Sequence, residues 1–216
     1  FDATEAISAY QPDAQGMSRR SLHSVALHYL GHVLPGAELA ELLTRSLQQA
    51  DNLTERRAVL LAAANCAQLP EDVRAQLLDS FYQQFGQYPL VVNQWLSIQA
   101  GAQSCTAQQI VELAQHEVFD LRNPNKVRAV YGAFVQTNLR NFHDASGAGY
   151  QLIAGAVLTL NDINPQMASA LAKPLTRWSR FTPDRQLLMK QALKTIAGER
   201  DLSPDVFEVV SKGLGE

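Results

Sequence analysis

Apolar residues recur along this chain every three or four positions, the spacing that places them on one side of a helix. Val73, Leu77, Leu78, Phe81 and Phe85 form one such stripe, and Val127, Val130, Tyr131 and Phe134 a second. Leu188, Ala192, Leu193 and Ile196 form a third, which Gly198 stops. No segment alternates apolar and polar residues in the two-residue rhythm of a half-buried strand. The pattern predicts eleven helices, over 13–32, 37–50, 53–68, 71–85, 89–100, 107–117, 124–137, 149–161, 165–179, 183–197 and 204–212.

The joints between these helices carry capping chemistry. Asn123-Pro124, Asn164-Pro165, Thr182-Pro183 and Ser203-Pro204 each set a capping side chain before a proline. The cap oxygen can accept from a free amide of the first turn, and the proline has no N–H to leave unsatisfied. Thr106 with Gln109, and Asn52 with Glu55, have the spacing of a capping box.

Links of only a few residues between helices predict antiparallel neighbours. A series this long is expected to curl into a superhelix rather than close as a bundle. The fold class is therefore all-α: antiparallel helices stacked into an irregular curved superhelix, an α-solenoid of HEAT-like kind with a concave face. No repeat of about 34 or 40 residues is visible, so a regular tetratricopeptide or HEAT array is not supported. Nor is an internal boundary, and 1–216 reads as a single α-superhelical domain.

Composition narrows the function classes. With 46% apolar and 18% charged residues, the 216-residue chain has the balance of a globular protein with a real core. Mean hydropathy is −0.13, and no apolar run approaches the roughly 18 residues of a membrane span. The formal net charge of −3 offers no field for phosphate backbones, and no basic stripe is interleaved with aromatics, which argues against a nucleic-acid partner. Cys66 and Cys105 stand alone in different segments of the chain, so they make neither a metal pair nor a disulfide framework; reduced thiols in the cytoplasm fit best. No signal-peptide pattern precedes the first helix, and an opening on Phe1 suggests a segment of a longer protein.

Candidate chemistry is sparse. His28 and His32 stand four apart on one helix face, the spacing of a zinc pair, but Tyr29 holds the place where a zincin needs glutamate. Two ordinary histidines near a helix C-terminus is the better reading. Cys105 and His116 are separated by a helix start, with no geometric reason to meet as nucleophile and base. The polar stretch 141–150, with Gly147 and Gly149, lacks the third glycine and preceding strand of a dinucleotide fingerprint. It reads as a tight turn with close helix packing, and His143, Asp144 and Ser146 lie too close in sequence to argue a triad. Arg128, with Gly132 one turn on, is either a groove-facing guanidinium suited to carboxylates and carbonyl oxygens or a solvated arginine.

Taken together, certain residues resemble a known family. They are Asn123-Pro124-Asn125-Lys126-Val127-Arg128, Gly132-Ala133-Phe134, Asn138, Phe142-His143, Gly147 and Gly149-Tyr150. Asn164-Pro165-Gln166, Ala168-Ser169, Pro174-Leu175, Leu202-Ser203, the 51–54 region and 19–22 extend the likeness over nearly the whole chain. The chain is similar to the C-terminal helical domain of bacterial aminopeptidase N, in the M1 family of zinc metallopeptidases. The resemblance implies a non-catalytic segment that packs over an upstream catalytic domain, its partner within the same chain. It would enclose a cavity that admits short peptides and restricts larger ones. Zinc, the HExxH motif and the catalytic glutamates would belong to that upstream domain, with no cofactor in this segment. Two substrate-cavity positions carry over, Arg128 and Gln166, whereas Ala170 stands where the family has an arginine. The competing reading is an independent helical-repeat scaffold that binds protein partners on its concave face.

Overall fold

A computed structural model describes residues 10–215. The described residues are helical with turns and short links, and no strand occurs among them. Contacts gather into two compact units that divide between Val91 and Val92.

The first unit holds α1 (Ala14–Val33), α2 (Gly36–Gln49), α3 (Leu53–Asn65) and α4 (Glu71–Phe85). Its centre is α3, which packs against each of the other three. This follows from its sequence: Ala58, Val59, Leu60, Ala62, Ala63 and Ala64 are all buried, so the helix is apolar around most of its circumference rather than along one stripe. Small side chains let the neighbours approach closely. At the α1–α3 crossing Gly31 is needed because a Cβ there would run into Sγ of Cys66. Leu39 and Leu43 of α2 are fully buried, each contributing about 1.5–3 kcal/mol of transfer free energy.

The prediction carried the third helix to residue 68, but α3 ends at Asn65 and Cys66 turns extended. The cause is Arg74 of α4. Its Nε donates to the Ala63 carbonyl at 3.0 Å, and its Nη2 to the carbonyls of Cys66 at 2.9 Å and Leu69 at 3.3 Å. One guanidinium therefore answers carbonyls that the end of a helix leaves free. Glu71 pairs with its other nitrogen.

The division falls within the first turn of α5 (Pro89–Ala100); in the second unit the rest of α5 and α6 (Ala107–Ala114) precede a continuous helical rod. That rod is α7 (Pro124–Val127), a π-helical turn (Arg128–Gly132) and α8 (Ala133–Thr137). The α-helix predicted over 124–137 is thus interrupted in its middle, where the amide of Ala133 reaches back five residues to the Arg128 carbonyl. A one-turn helix unforeseen by the periodicity, α9 (Leu139–Phe142), precedes α10 (Ala148–Asn161). The latter is the centre of this unit and packs on α11 (Pro165–Ala172), α12 (Pro183–Ala197), α9 and α6. The chain closes through α13 (Pro204–Leu214), packed on α11 and α12.

Helix starts follow the capping chemistry. Asn123, Asn164 and Ser203 accept from the amides of Asn125, Met167 and Val206. The Thr106–Gln109 capping box forms in both directions. At Asn52 the forward bond from the Glu55 amide forms, while the Glu55 side chain is buried and burial raises its carboxyl pKa. Thr182 is the departure: α12 starts after it, but its side chain makes no cap bond. The Gln186 side chain instead ties the entry to the helix by donating to the Phe181 carbonyl at 2.9 Å, which leaves the first-turn amides without a side-chain acceptor from Thr182. The helix predicted over 165–179 also divides. Pro174 has no N–H for the carbonyl four residues back, so the ladder lapses after Ala172 and a 3-10 segment (Leu175–Arg180) follows.

Two asparagines hold the second unit's links. Asn138 is fully buried and donates to the carbonyls of Ala100 at 3.3 Å and Cys105 at 2.7 Å. Its oxygen accepts from the Asn141 side chain, which also donates to the Gln103 carbonyl. Asn161 does similar work at the far end of α10, donating to the Asp201 carbonyl and accepting from the Ser203 amide, both at 2.9 Å.

Gly31→Ala is expected to destabilise the chain by about 1–3 kcal/mol through overpacking, although helix propensity alone favours alanine. Adding Cys66→Ala removes the sulfur and leaves ordinary contact with the remaining Cβ, so a chemical-denaturation double-mutant cycle should recover most of the loss. Asn138→Ala leaves two carbonyls without their donor and should cost about 2–4 kcal/mol. Asn138→Asp, which keeps the shape but sets a carboxyl oxygen against both carbonyls, should cost at least as much.

Candidate functional site

The two positions carried over from the resemblance lie in the second unit. Arg128 opens the π turn with its side chain exposed, and its Nη1 donates to Oδ1 of Asn125 at 3.3 Å. Asn123, Pro124 and Asn125 thus have distinct local roles. The first caps the helix, the second starts it, and the third steers the guanidinium. A π turn is a wider helical turn often found at functional positions. Gly132 does not clear room for Arg128, because a Cβ there would lie 3.6 Å from the arginine Cβ, an ordinary contact.

Gln166 is the second residue of α11, after the Asn164 cap and Pro165, and it is exposed. Its carbonyl accepts from the Ser169 hydroxyl at 3.0 Å. The elements holding the two residues have different chief neighbours: α10 and α13 for α11, and α6, α7 and α8 for the π turn. Ala170 is exposed on the same helix as Gln166.

Lys126 lies within the resembling motif, two residues before Arg128. It is a mere 8% exposed, and burial lowers its amine pKa. Charge two residues before Arg128 is thereby held partly out of water, a feature that periodicity alone does not single out.

Elsewhere the chemical candidates resolve into structural roles. His28 and His32 do share a face, their rings edge-to-face with centroids 4.9 Å apart. Among the described residues no three His, Cys, Asp or Glu side chains gather as metal ligands. The Cys105 thiol is buried and burial pushes its pKa up to about 11, opposite to the shift an attacking thiolate needs. His116 instead stacks edge-on with Trp95 and accepts from the Val118 amide. Cys66 is a small buried side chain, as its apolar neighbours suggested.

In the 141–150 stretch Gly147 takes the left-handed conformation at φ 74°. At Gly149 a Cβ would lie 2.5 Å from the Phe142 carbonyl oxygen. The tight turn and close helix packing are both present. Ser146 donates to Asp144, which lowers the Asp144 pKa. His143 faces elsewhere: its Nδ1 shares a 2.8 Å hydrogen bond with the Tyr150 hydroxyl, and its ring stacks on Phe181. Burial, then the nearby Arg185, depress its pKa. These three residues form no nucleophile–base relay.

A groove of about 470 Å³ in the first unit is lined by Thr44, Gln48, Arg56, Ser80, Phe81 and Gln84 among others. Arg56 is already engaged there, donating to Gln84 and lying over the Phe85 ring.

Residues 1–215 match a family described as a domain of unknown function (DUF3458_C) with ARM repeats. The chain is 35% identical over 209 residues to aminopeptidase N of Haemophilus influenzae, covering 96% of this chain and 23% of that protein. It is 34% identical to aminopeptidase N of Escherichia coli, with the same coverage. Against the protein of that name from Caulobacter vibrioides it is 32% identical over 95% of this chain and 24% of the relative. Among solved structures it is similar to Legionella pneumophila aminopeptidase A, crystallised in complex with aspartic acid. That match has a TM-score of 0.86 at 32% identity and covers 97% of this chain and 25% of that one. The chain therefore spans about a quarter of the length of the relatives it matches. The all-α reading and the likeness to the C-terminal domain of aminopeptidase N both hold, and the chain belongs to the DUF3458_C family of ARM-repeat domains.

Proposed function

We propose that residues 1–216 act as one domain, the non-catalytic C-terminal helical segment of a cytoplasmic zinc aminopeptidase that removes N-terminal amino acids from peptides. The observation that carries this is the coverage: nearly all of this chain aligns with less than a quarter of aminopeptidase N. The chain's own donors do not fit a zinc site, since His28 and His32 are exposed and no third ligand joins them among the described residues. The metal and the chemistry belong to the preceding part of the longer chain, which is this segment's partner.

The segment's role is then to wall the cavity over that catalytic centre and to admit short peptides. Arg128 and Gln166 are its contacts to substrate. An exposed guanidinium on a π turn can hold a peptide carboxylate or carbonyl through paired N–H groups. An amide side chain in the first turn of α11 can donate and accept at a peptide backbone. Both add binding rather than chemistry, so their removal is felt in KM more than in zinc content.

In the full-length protein, Arg128→Ala and Gln166→Ala should each raise KM for short peptides severalfold, a loss of about 1 kcal/mol of binding per contact, with bound zinc unchanged. Steady-state kinetics on peptides of two to six residues, with metal analysis of the same samples, checks this. Unchanged KM at every length would reassign both residues to the solvated surface. Zinc-dependent cleavage of an alanyl chromogenic substrate by residues 1–216 alone would overturn the non-catalytic role.

A further inference from the structure

The first helix carries two apolar faces. Leu27 and Gly31 are buried, with Arg20 on the same side. On the other side Leu22, Val25, Tyr29 and Val33 are exposed by 57%, 52%, 67% and 71%. Their spacing of three, four and four residues places them within an arc of about 80° on a 3.6-residue helix, roughly opposite Leu27 and Gly31. Scattered exposed apolar residues need no explanation, but a continuous seam of four over three turns does. Ser21, His28 and His32 flank it, and α1 has no acidic residue at all.

A helix apolar on opposite faces is built to lie between two layers. The first unit supplies one layer, since α1 packs on α3. We infer that the second layer is the part of the longer aminopeptidase chain that precedes residue 1, seated as an apolar ridge along Leu22, Val25, Tyr29 and Val33. This rests on the reading of the chain as a segment of such a protein. The relatives are about four times as long as the matched region, and α1 is the first helix of the described chain. The seam therefore stands toward the amino-terminal end of the matched region, where the larger part of the protein must join it.

The test places a photo-crosslinking benzophenone amino acid at Tyr29, and separately at Val25, in the full-length protein. Both side chains are exposed in this segment, so neither replacement disturbs its core. The expected result is a cross-link within one molecule, mapped by mass spectrometry to sequence upstream of residue 1, from both positions. Cross-links between two molecules would assign the seam to a second copy and overturn the inference. So would cross-links confined to residues 1–9 or to the rest of this segment, or a failure to cross-link at either position. Hydrolysis of an alanyl substrate by the same samples keeps the two readings apart. A peptidase whose seam cross-links elsewhere refutes only the inference, whereas a full-length protein without peptidase activity refutes the functional reading.

Discussion

Short helices joined by short links create a shortage of partners for the backbone. Each helix leaves free amides at its start and free carbonyls at its end, and the packing of thirteen α-helices within 206 described residues buries many of them. The fold depends on side chains that reach those groups from a neighbouring element. Arg74 gathers three carbonyls around the end of α3. Asn138 binds the link after α5, and Asn161 the link before α13. Apolar burial supplies most of the stabilisation, but these polar clamps decide where each helix stops and so how it meets the next.

The proposed substrate contacts stand on the same logic. Asn123 caps α7, Pro124 starts it without a wasted donor, and Asn125 steers Arg128 at the head of the π turn. Gln166 follows an asparagine cap and a proline in the same way on α11. Two Asn-Pro helix starts thus deliver one exposed polar side chain each. Because the caps are local, the two side chains are placed by helix starts rather than by long loops, which under the proposed function would lower the ordering cost of holding a peptide.

What could be read from the sequence was what is local. Helix positions followed from periodicity, and starts at Asn123, Asn164, Ser203 and Thr106 followed from caps two or three residues away. Features set at longer range were hidden. Nothing near Asn65 says that Arg74 will end α3, and nothing near Asn138 points to the carbonyls of Ala100 and Cys105, more than thirty residues earlier. The π turn rests on one bond displaced by a residue, which leaves the apolar spacing almost unchanged. Arg128 and Gln166 came from the family resemblance, since an arginine and a glutamine on exposed turns have no distinguishing pattern of their own. The outer seam of α1 was missed because a helix was expected to bury one face only.

The dependence of the fold on these cross-element clamps is tested most directly at Arg74, whose side chain is 12% exposed. Arg74→Met keeps the apolar stem and removes all three carbonyl bonds. Equilibrium unfolding should show a loss of about 3 kcal/mol, near 1 kcal/mol per bond, with faster amide hydrogen exchange in the last turn of α3. Unchanged stability and unchanged exchange would mean that the helix ends are satisfied without the guanidinium, contradicting the account.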